Sequence, residues 1–193
     1  MAARSSRDAP TSHPLAEQRA FLEESMSRYG KAVYTYAYRL TGSESDARDL
    51  AQEAFIRVFR AWRSFRPGSS FLAWIFRILT NLHRDELRKR KGRYLEELPD
   101  EQTRPRRGSN TTFSVTPIEE YHAQQLDAHL EEALAELSPE QRQVVVLADI
   151  EEYQYQEIAE IVGCSIGTVR SRLHRSRALL RQALQRREST GMS

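Results

Sequence analysis

The chain holds one cysteine, Cys164, in 193 residues. That excludes an internal disulfide framework and fits a reducing cytoplasm. No apolar run approaches the length of a membrane span, which argues against an integral membrane protein. The first residues, "MAARSSRDAPTSHP", lack the apolar stretch of an export signal, and residues 1–17 read as a disordered tail. There is no glycine-rich phosphate loop and no paired-cysteine metal pattern. No metal or other cofactor is therefore expected. Net charge is also scarce, at +2, so global charge says little about partners.

Local charge says more. Basic residues dominate from Arg84 to Arg93, and no acidic residue occurs from Arg170 to Arg187. Between Glu119 and Glu160 acids dominate, with Arg142 the only lysine or arginine. Such alternation points to two polyanion-facing surfaces separated by something else.

The periodicity is helical throughout, and the expected fold is all-α: two small helical bundles joined by a flexible linker. A helix over 15–40 ends at the turn Thr41–Gly42–Ser43, and Ser43 can cap the next. There Ala47, Leu50, Ala51, Ala54, Phe55, Val58 and Phe59 form one apolar face. Pro67 and Gly68 break that helix, and a third starts at Phe71 with a stripe of Leu72, Ile75, Ile78, Leu79 and Leu82. Helical period is lost over 92–116, which reads as linker. A helix restarts at Pro117. Ser138–Pro139–Glu140–Gln141 is a capping-box start. Helices are expected over about 139–150 and 155–162, followed by the basic helix. The expected divisions are 1–17 tail, 18–93 first domain, 94–117 linker, 118–187 second domain and 188–193 tail.

"QEIAEIVGCSIGTV" has the spacing of a helix-turn-helix. Ala159 is small where two helices cross, Gly163 allows the tight turn, and Val169 packs the second helix onto the first. Ser165 is its N-cap. Ile166, Val169, Leu173, Leu180 and Leu184 share one side of that helix. Gly167, Thr168, Ser171, His174 and Arg175 point the other way, with Arg170, Arg172 and Arg177 on the flanks. Small polar residues near the N-terminal end suit base edges in a major groove, and flanking arginines suit phosphates.

The third helix carries a second stripe of Arg77, Asn81, Arg84 and Arg88 opposite Ile75. Trp74 lies at its edge; taken alone it reads as core, but basic residues interleaved with Asn and an aromatic suit DNA with unstacked bases. The preceding helix turns Asp46, Asp49, Gln52, Glu53 and Arg57 away from its apolar face. An acidic, amide-bearing face does not suit a polyanion and points to a protein partner.

Together these residues resemble the group IV, extracytoplasmic-function (ECF) sigma factors of bacterial RNA polymerase. "DARDLAQEAFIRVFRAWRSFRPGSSFLAWIFRILTNLHRDELRKR" resembles the family's region 2, and "LSPEQRQVVVLADIEEYQYQEIAEIVGCSIGTVRSRLHRSRALLR" its region 4. The resemblance implies a subunit that directs core polymerase to a two-element promoter, helps melt it, and catalyses nothing itself. Asp49, Gln52 and Glu53, with Asp46 and Arg57 beside them, would dock on the β′ clamp helices, and the second domain on the β flap. Ser64, Phe65 and Arg66 in the loop, with Trp74, Arg77, Asn81, Arg84 and Arg88, would recognise and open the −10 element. Ser165, Thr168, Arg170, Ser171, Arg172, His174, Arg175 and Arg177 would read the −35 element. The resemblance further implies a cytoplasmic, stress-responsive protein, monomeric when free of partners, with a cognate anti-sigma factor. Two departures stand out: His174 stands where the family often has an aromatic or aliphatic residue, and Glu152 and Gln154 occupy places where the family often has Gly and Ser. Gln is the poorer cap, so a looser helix start is expected.

The alternative is a helix-turn-helix regulator that is not a polymerase subunit; it leaves the Trp74–Asn81 stripe unexplained. An enzyme would need partners that His83, His122, His129 and His174 lack. Cys164 fits a small, part-buried turn position better than a nucleophile or redox sensor, and His122, His129 and Cys164 have no familiar zinc spacing.

Overall fold

The computed structural model describes residues 14–96 and 128–190. Among them every regular element is helical. Helices α1 (Pro14–Thr41), α2 (Glu44–Ala61) and α3 (Phe71–Glu96) form the first unit. α1 stops at Gly42, whose φ of 69° is cheap for glycine, and the Gly42 N–H donates to the Tyr38 carbonyl at 2.8 Å. Ser43 then caps α2, its Oγ accepting from the Asp46 N–H at 3.4 Å. The buried face of α2 is Ala47, Leu50, Ala51, Ala54, Phe55 and Val58, as its period predicts. A 3-10 turn, Trp62–Ser64, leads into a loop that turns at Gly68 (φ 87°). Ser70 Oγ accepts from the Ala73 N–H at 3.2 Å and starts α3. Phe71, Ile75, Phe76, Leu79 and Leu82 are its buried apolar residues. Full burial of such a side chain stabilises by about 1.5–3 kcal/mol. Tyr36, fully buried, stacks on Phe76 at 4.2 Å and shares a 3.0 Å hydroxyl bond with Thr80.

α3 continues to Glu96, beyond the linker start expected at 92 and the domain boundary expected at 93. Gly92 costs a helix only about 1 kcal/mol, and the first proline after it is Pro99. The helix restart expected at Pro117 lies outside the described residues, as does most of the expected linker.

The second unit has α4 (Ala128–Ala135), α5 (Pro139–Val145), α6 (Tyr155–Val162) and α7 (Ile166–Thr190). The capping box at Ser138 is present: its Oγ accepts from the Gln141 N–H at 3.3 Å, and Gln141 Oε1 accepts from the Ser138 N–H at 3.0 Å. The single helix expected over 139–150 is α-helical only to Val145. A wider π turn follows over Val146–Ile150, and the Glu151 N–H closes it onto the Val146 carbonyl at 2.9 Å. At the start of α6, Glu157 Oε2 reaches back to accept from the Gln154 N–H at 2.9 Å. That bond compensates for the missing serine. Glu152 adopts φ 58°, the left-handed region that favours glycine.

The two units, expected as separate bundles, pack on each other in one continuous apolar cluster. Tyr153 meets the Phe76 ring edge to face at 6.0 Å. Arg39 Nη1 donates to Glu151 Oε1 at 2.5 Å, with only 8% of the arginine side chain exposed. Arg142 donates to the Leu134 and Ala135 carbonyls of its own unit and, at 3.1 Å, to the Leu40 carbonyl at the end of α1. Burying these rings and satisfying orphan helix-end carbonyls is the physical reason for the packing.

Candidate nucleic-acid interface

The basic helix that follows the tight turn is α7 (Ile166–Thr190). Gly163 ends α6 with φ 68° and has open space where a side chain would stand, so backbone conformation is what selects glycine there. Ser165 Oγ accepts from the Thr168 N–H at 3.1 Å and bonds the Thr168 hydroxyl at 2.9 Å. Val169 and Leu173 are buried, locking the helix rotation. Arg170, Ser171, His174 and Arg175 therefore face solvent, and Arg172 is half-buried. Ser171 Oγ donates to the Thr168 carbonyl at 3.0 Å. Arg177 is differently placed: Asp149 grips it with two bonds, 3.1 and 2.6 Å, tying α7 to the π turn. The sequence alone reads Arg177 as a free flank. Cys164, in the turn between α6 and α7, is half-buried against the core.

The stripe on α3 has more structure around it. Trp74 belongs to an aromatic cluster, 5.3 Å from Phe65 and 5.9 Å from Phe71. It is half-buried, with Arg77 exposed one turn on. Asn81 Oδ1 accepts from Arg84 Nη2 at 2.7 Å, so the two act as a unit. Arg84 Nε is buried without a partner. Arg88 is exposed beside Asp85 at 3.9 Å. Two clefts of about 420 Å³ each flank the loop before α3. One opens between the loop and α1, lined by Tyr29, Phe65, Ser69 and Phe71 among others. The other lies between Phe65, Arg66, Trp74 and Arg77 on one side and Glu157, Glu160 and Ile161 of α6 on the other.

On α2, Asp49 and Gln52 are exposed. Glu53 pairs with Arg57 at 3.4 Å, and Asp46 with Arg90 of α3 at 3.1 Å. Two residues of this face thus stand free of ion pairs, and two are held in place by arginines. His83 is buried in α3. Burial, with Arg142 and Arg90 nearby, lowers its pKa from 6.5 to about 4, against the pull of Asp46 and Glu140. No group of three or more potential metal ligands clusters among the described residues. His122 lies outside them.

The arrangement is a basic helix whose polar face is open to solvent, a second basic helix backed by aromatic side chains, and an acid-amide face. The family models for Sigma-70 region 2 and Sigma-70 region 4 match residues 26–93 and 128–180. The chain belongs to the sigma-70 family, in its ECF branch.

This sigma factor is 44% identical over 168 residues to the ECF RNA polymerase sigma factor SigE of Mycolicibacterium smegmatis, a match covering 86% of the chain but 63% of that relative. The chain thus spans less than two thirds of that relative's length. It is 33% identical to the ECF RNA polymerase sigma factor SigW of Bacillus subtilis, covering 81% of the chain and 85% of the relative. Among solved structures it resembles the sigma factor RpoE of Bartonella quintana, solved with the anti-sigma factor NepR. The TM-score is 0.66 at 27% identity, over 86% of this chain and 98% of that one. CnrH, solved with the cytosolic domain of CnrY, gives a TM-score of 0.59 at 26% identity, covering 89% and 94%.

Sequence reasoning missed the seam between the units: Arg39, Glu151, Tyr153, Glu157 and Glu160. One signal was available. Arg142 stands alone in a long acidic stretch, which suits a fixed structural donor and not a solvated basic face. Tyr153 gave none, because an aromatic before a helix reads equally well as local packing.

Proposed function

We propose that this sigma factor carries core RNA polymerase to a promoter with two elements and helps open it, with different helices for each task. Asp49, Gln52 and Glu53 dock on the β′ clamp helices, with Asp46 and Arg57 at the margin; the second unit meets the β flap. Ser165, Thr168, Arg170, Ser171, His174 and Arg175 read the −35 duplex, with Arg172 on phosphates and Arg177 set back by Asp149. Ser64, Phe65, Arg66 and Trp74 with Arg77, Asn81, Arg84 and Arg88 capture the −10 strand as it unstacks. Nucleotide chemistry belongs to the polymerase. The site of action is the cytoplasm, and an anti-sigma protein controls it, in keeping with the anti-sigma-bound form of the Bartonella quintana relative.

The observation that carries this reading is the coexistence of two differently built basic helices, α7 and α3, with an exposed carboxylate-amide face on α2 ahead of both in sequence. A simple repressor has no use for the second and third. The test is core binding followed by run-off transcription on genomic fragments. Asp49→Arg with Glu53→Arg should abolish core binding, because charge is reversed at a protein interface. Duplex binding through α7 should be unchanged. Full transcription by the double variant would refute the docking role.

A further inference from the structure

Asn81 and Arg84 share one side of α3, because Leu79, Leu82 and His83 are buried on the other and fix the rotation of the helix. Arg84 Nη2 donates to Asn81 Oδ1 at 2.7 Å. An arginine carries donors and no acceptor, so the amide oxygen, not the amide nitrogen, must face it. The Asn81 side chain is thereby held one way round, and its Nδ2 keeps two N–H groups for whatever lies outward. Arg84 Nε is buried without a partner, so the root of the guanidinium is enclosed and does not sweep freely through solvent. Arg77, exposed one turn before Asn81, also only donates. The carboxylate on this side, Asp85, lies one turn beyond Asn81 and 3.9 Å from Arg88. Arg77, Asn81 and Arg84 therefore offer a strand donors.

We propose that Arg84 is a positioning residue that sets the polarity of base recognition: it holds Asn81 as a donor, so the base captured there is one that turns a carbonyl oxygen, not an exocyclic amine, toward α3. This rests on the reading of α3 as the −10 surface and makes its substrate more definite. A base that has left the stack brings an unpaired edge with it. A carbonyl on that edge accepts from Asn81 Nδ2. An amine in the same place sets N–H against N–H, and both groups lose their partners away from water. Turning the amide over to accept from that amine would break the bond to Arg84 and set Nδ2 against the guanidinium. Arg84 thus selects the base through Asn81.

The experiment measures binding of the holoenzyme, below saturation, to a short fluorescent non-template strand from a promoter that it transcribes. Each position of the −10 segment is in turn adenine or hypoxanthine, which has a carbonyl where adenine has its amine on the same ring. At one position the parent should prefer hypoxanthine by about tenfold, the effect of one unmade hydrogen bond in a desolvated site. Asn81→Asp keeps the partner of Arg84 but presents an acceptor outward. Its charge weakens every strand alike, and its preference should reverse toward adenine. Arg84→Leu lets the amide turn either way and should bring the preference close to one. Arg84→Lys keeps a donor and should keep the preference; it and Asn81→Asp carry the test should Arg84→Leu fold poorly. The role given to Arg84 is overturned if the parent shows no preference at any position, if Asn81→Asp prefers as the parent does, if Arg84→Leu stays selective, or if Arg84→Lys loses selectivity. Asn81→Ala separates the two readings. Weaker binding of the hypoxanthine strand upholds Asn81 as a strand contact, so a failed polarity would fail alone; parent-like binding of every strand overturns that contact and the polarity with it.

Discussion

α3 and α7 are both long helices with an apolar side and an arginine-bearing side, yet they are set in the molecule differently. On α7 the residues proposed to read duplex, Arg170, Ser171, His174 and Arg175, project into solvent, held only by the helix they stand on. On α3 the corresponding groups are embedded: Trp74 among aromatic rings, Asn81 fixed by Arg84, Arg77 at the rim of a cleft shared with α6. The difference teaches what each can bind. A solvent-facing helix end meets a preformed duplex without rearrangement. An embedded Asn–Arg pair beside aromatic walls gains nothing from a stacked base and something from one already displaced.

Leucine truncation gives the largest expected break in this comparison. Leu173 is 1% exposed and fixes the rotation of α7, so Leu173→Ala should cost about 2–5 kcal/mol. Thermal or denaturant unfolding would show it, and duplex binding should fall with it. A loss of binding without a loss of stability would mean that Leu173 is not the anchor.

The next effect belongs to α3. His83 has a folded pKa of about 4 against an ordinary 6.5, so the unfolded chain binds its proton first. Its cost is absent above about pH 6.5 and grows as pH falls toward 4, reaching on the order of 2–3 kcal/mol. Denaturant midpoints across that window should fall in the parent and fall less in His83→Gln. Equal slopes would show that His83 is accessible to protons in the folded state.

Arg175 and Arg172 sharpen the contrast within α7. Arg175→Ala should lose about 1–3 kcal/mol of discrimination between duplex sequences. Arg172→Ala should weaken all sequences alike and reduce the salt dependence by about one phosphate contact. Identical uniform losses in both would place the two on the same face.

How much of this was readable beforehand depended on the range of the interaction. Ser43, Ser138 and Gly163 act within one turn of the chain, and their residue types announced the caps and the left-handed turn. The α7 face followed from period alone, because Val169 and Leu173 fix rotation locally. Arg177 did not follow: its partner Asp149 is 28 residues away, and helix spacing carries no record of it. The seam was invisible for the same reason, since Arg39 and Glu151 are separated by 112 positions. α3 runs past the linker start read at 92 because loss of apolar period does not by itself end a helix, and one glycine inside it is a small cost.

The smallest predicted effect concerns the connector. Glu152→Gly should stabilise the chain by up to about 1 kcal/mol, because glycine enters the left-handed region without a Cβ clash. A thermal shift upward would confirm that the backbone there is strained by its side chain. A shift downward would mean that Glu152 makes a favourable contact outweighing the strain.

The most direct test of the division of labour is run-off transcription on two templates, a duplex promoter and the same promoter with its start region already unpaired. Asn81→Ala should be defective on the duplex and restored on the opened template, since its task ends once the base has left the stack. Arg175→Ala should be equally defective on both, because the −35 duplex is unchanged between them. Rescue of both variants, or of neither, would contradict the assignment of melting to α3 and duplex reading to α7.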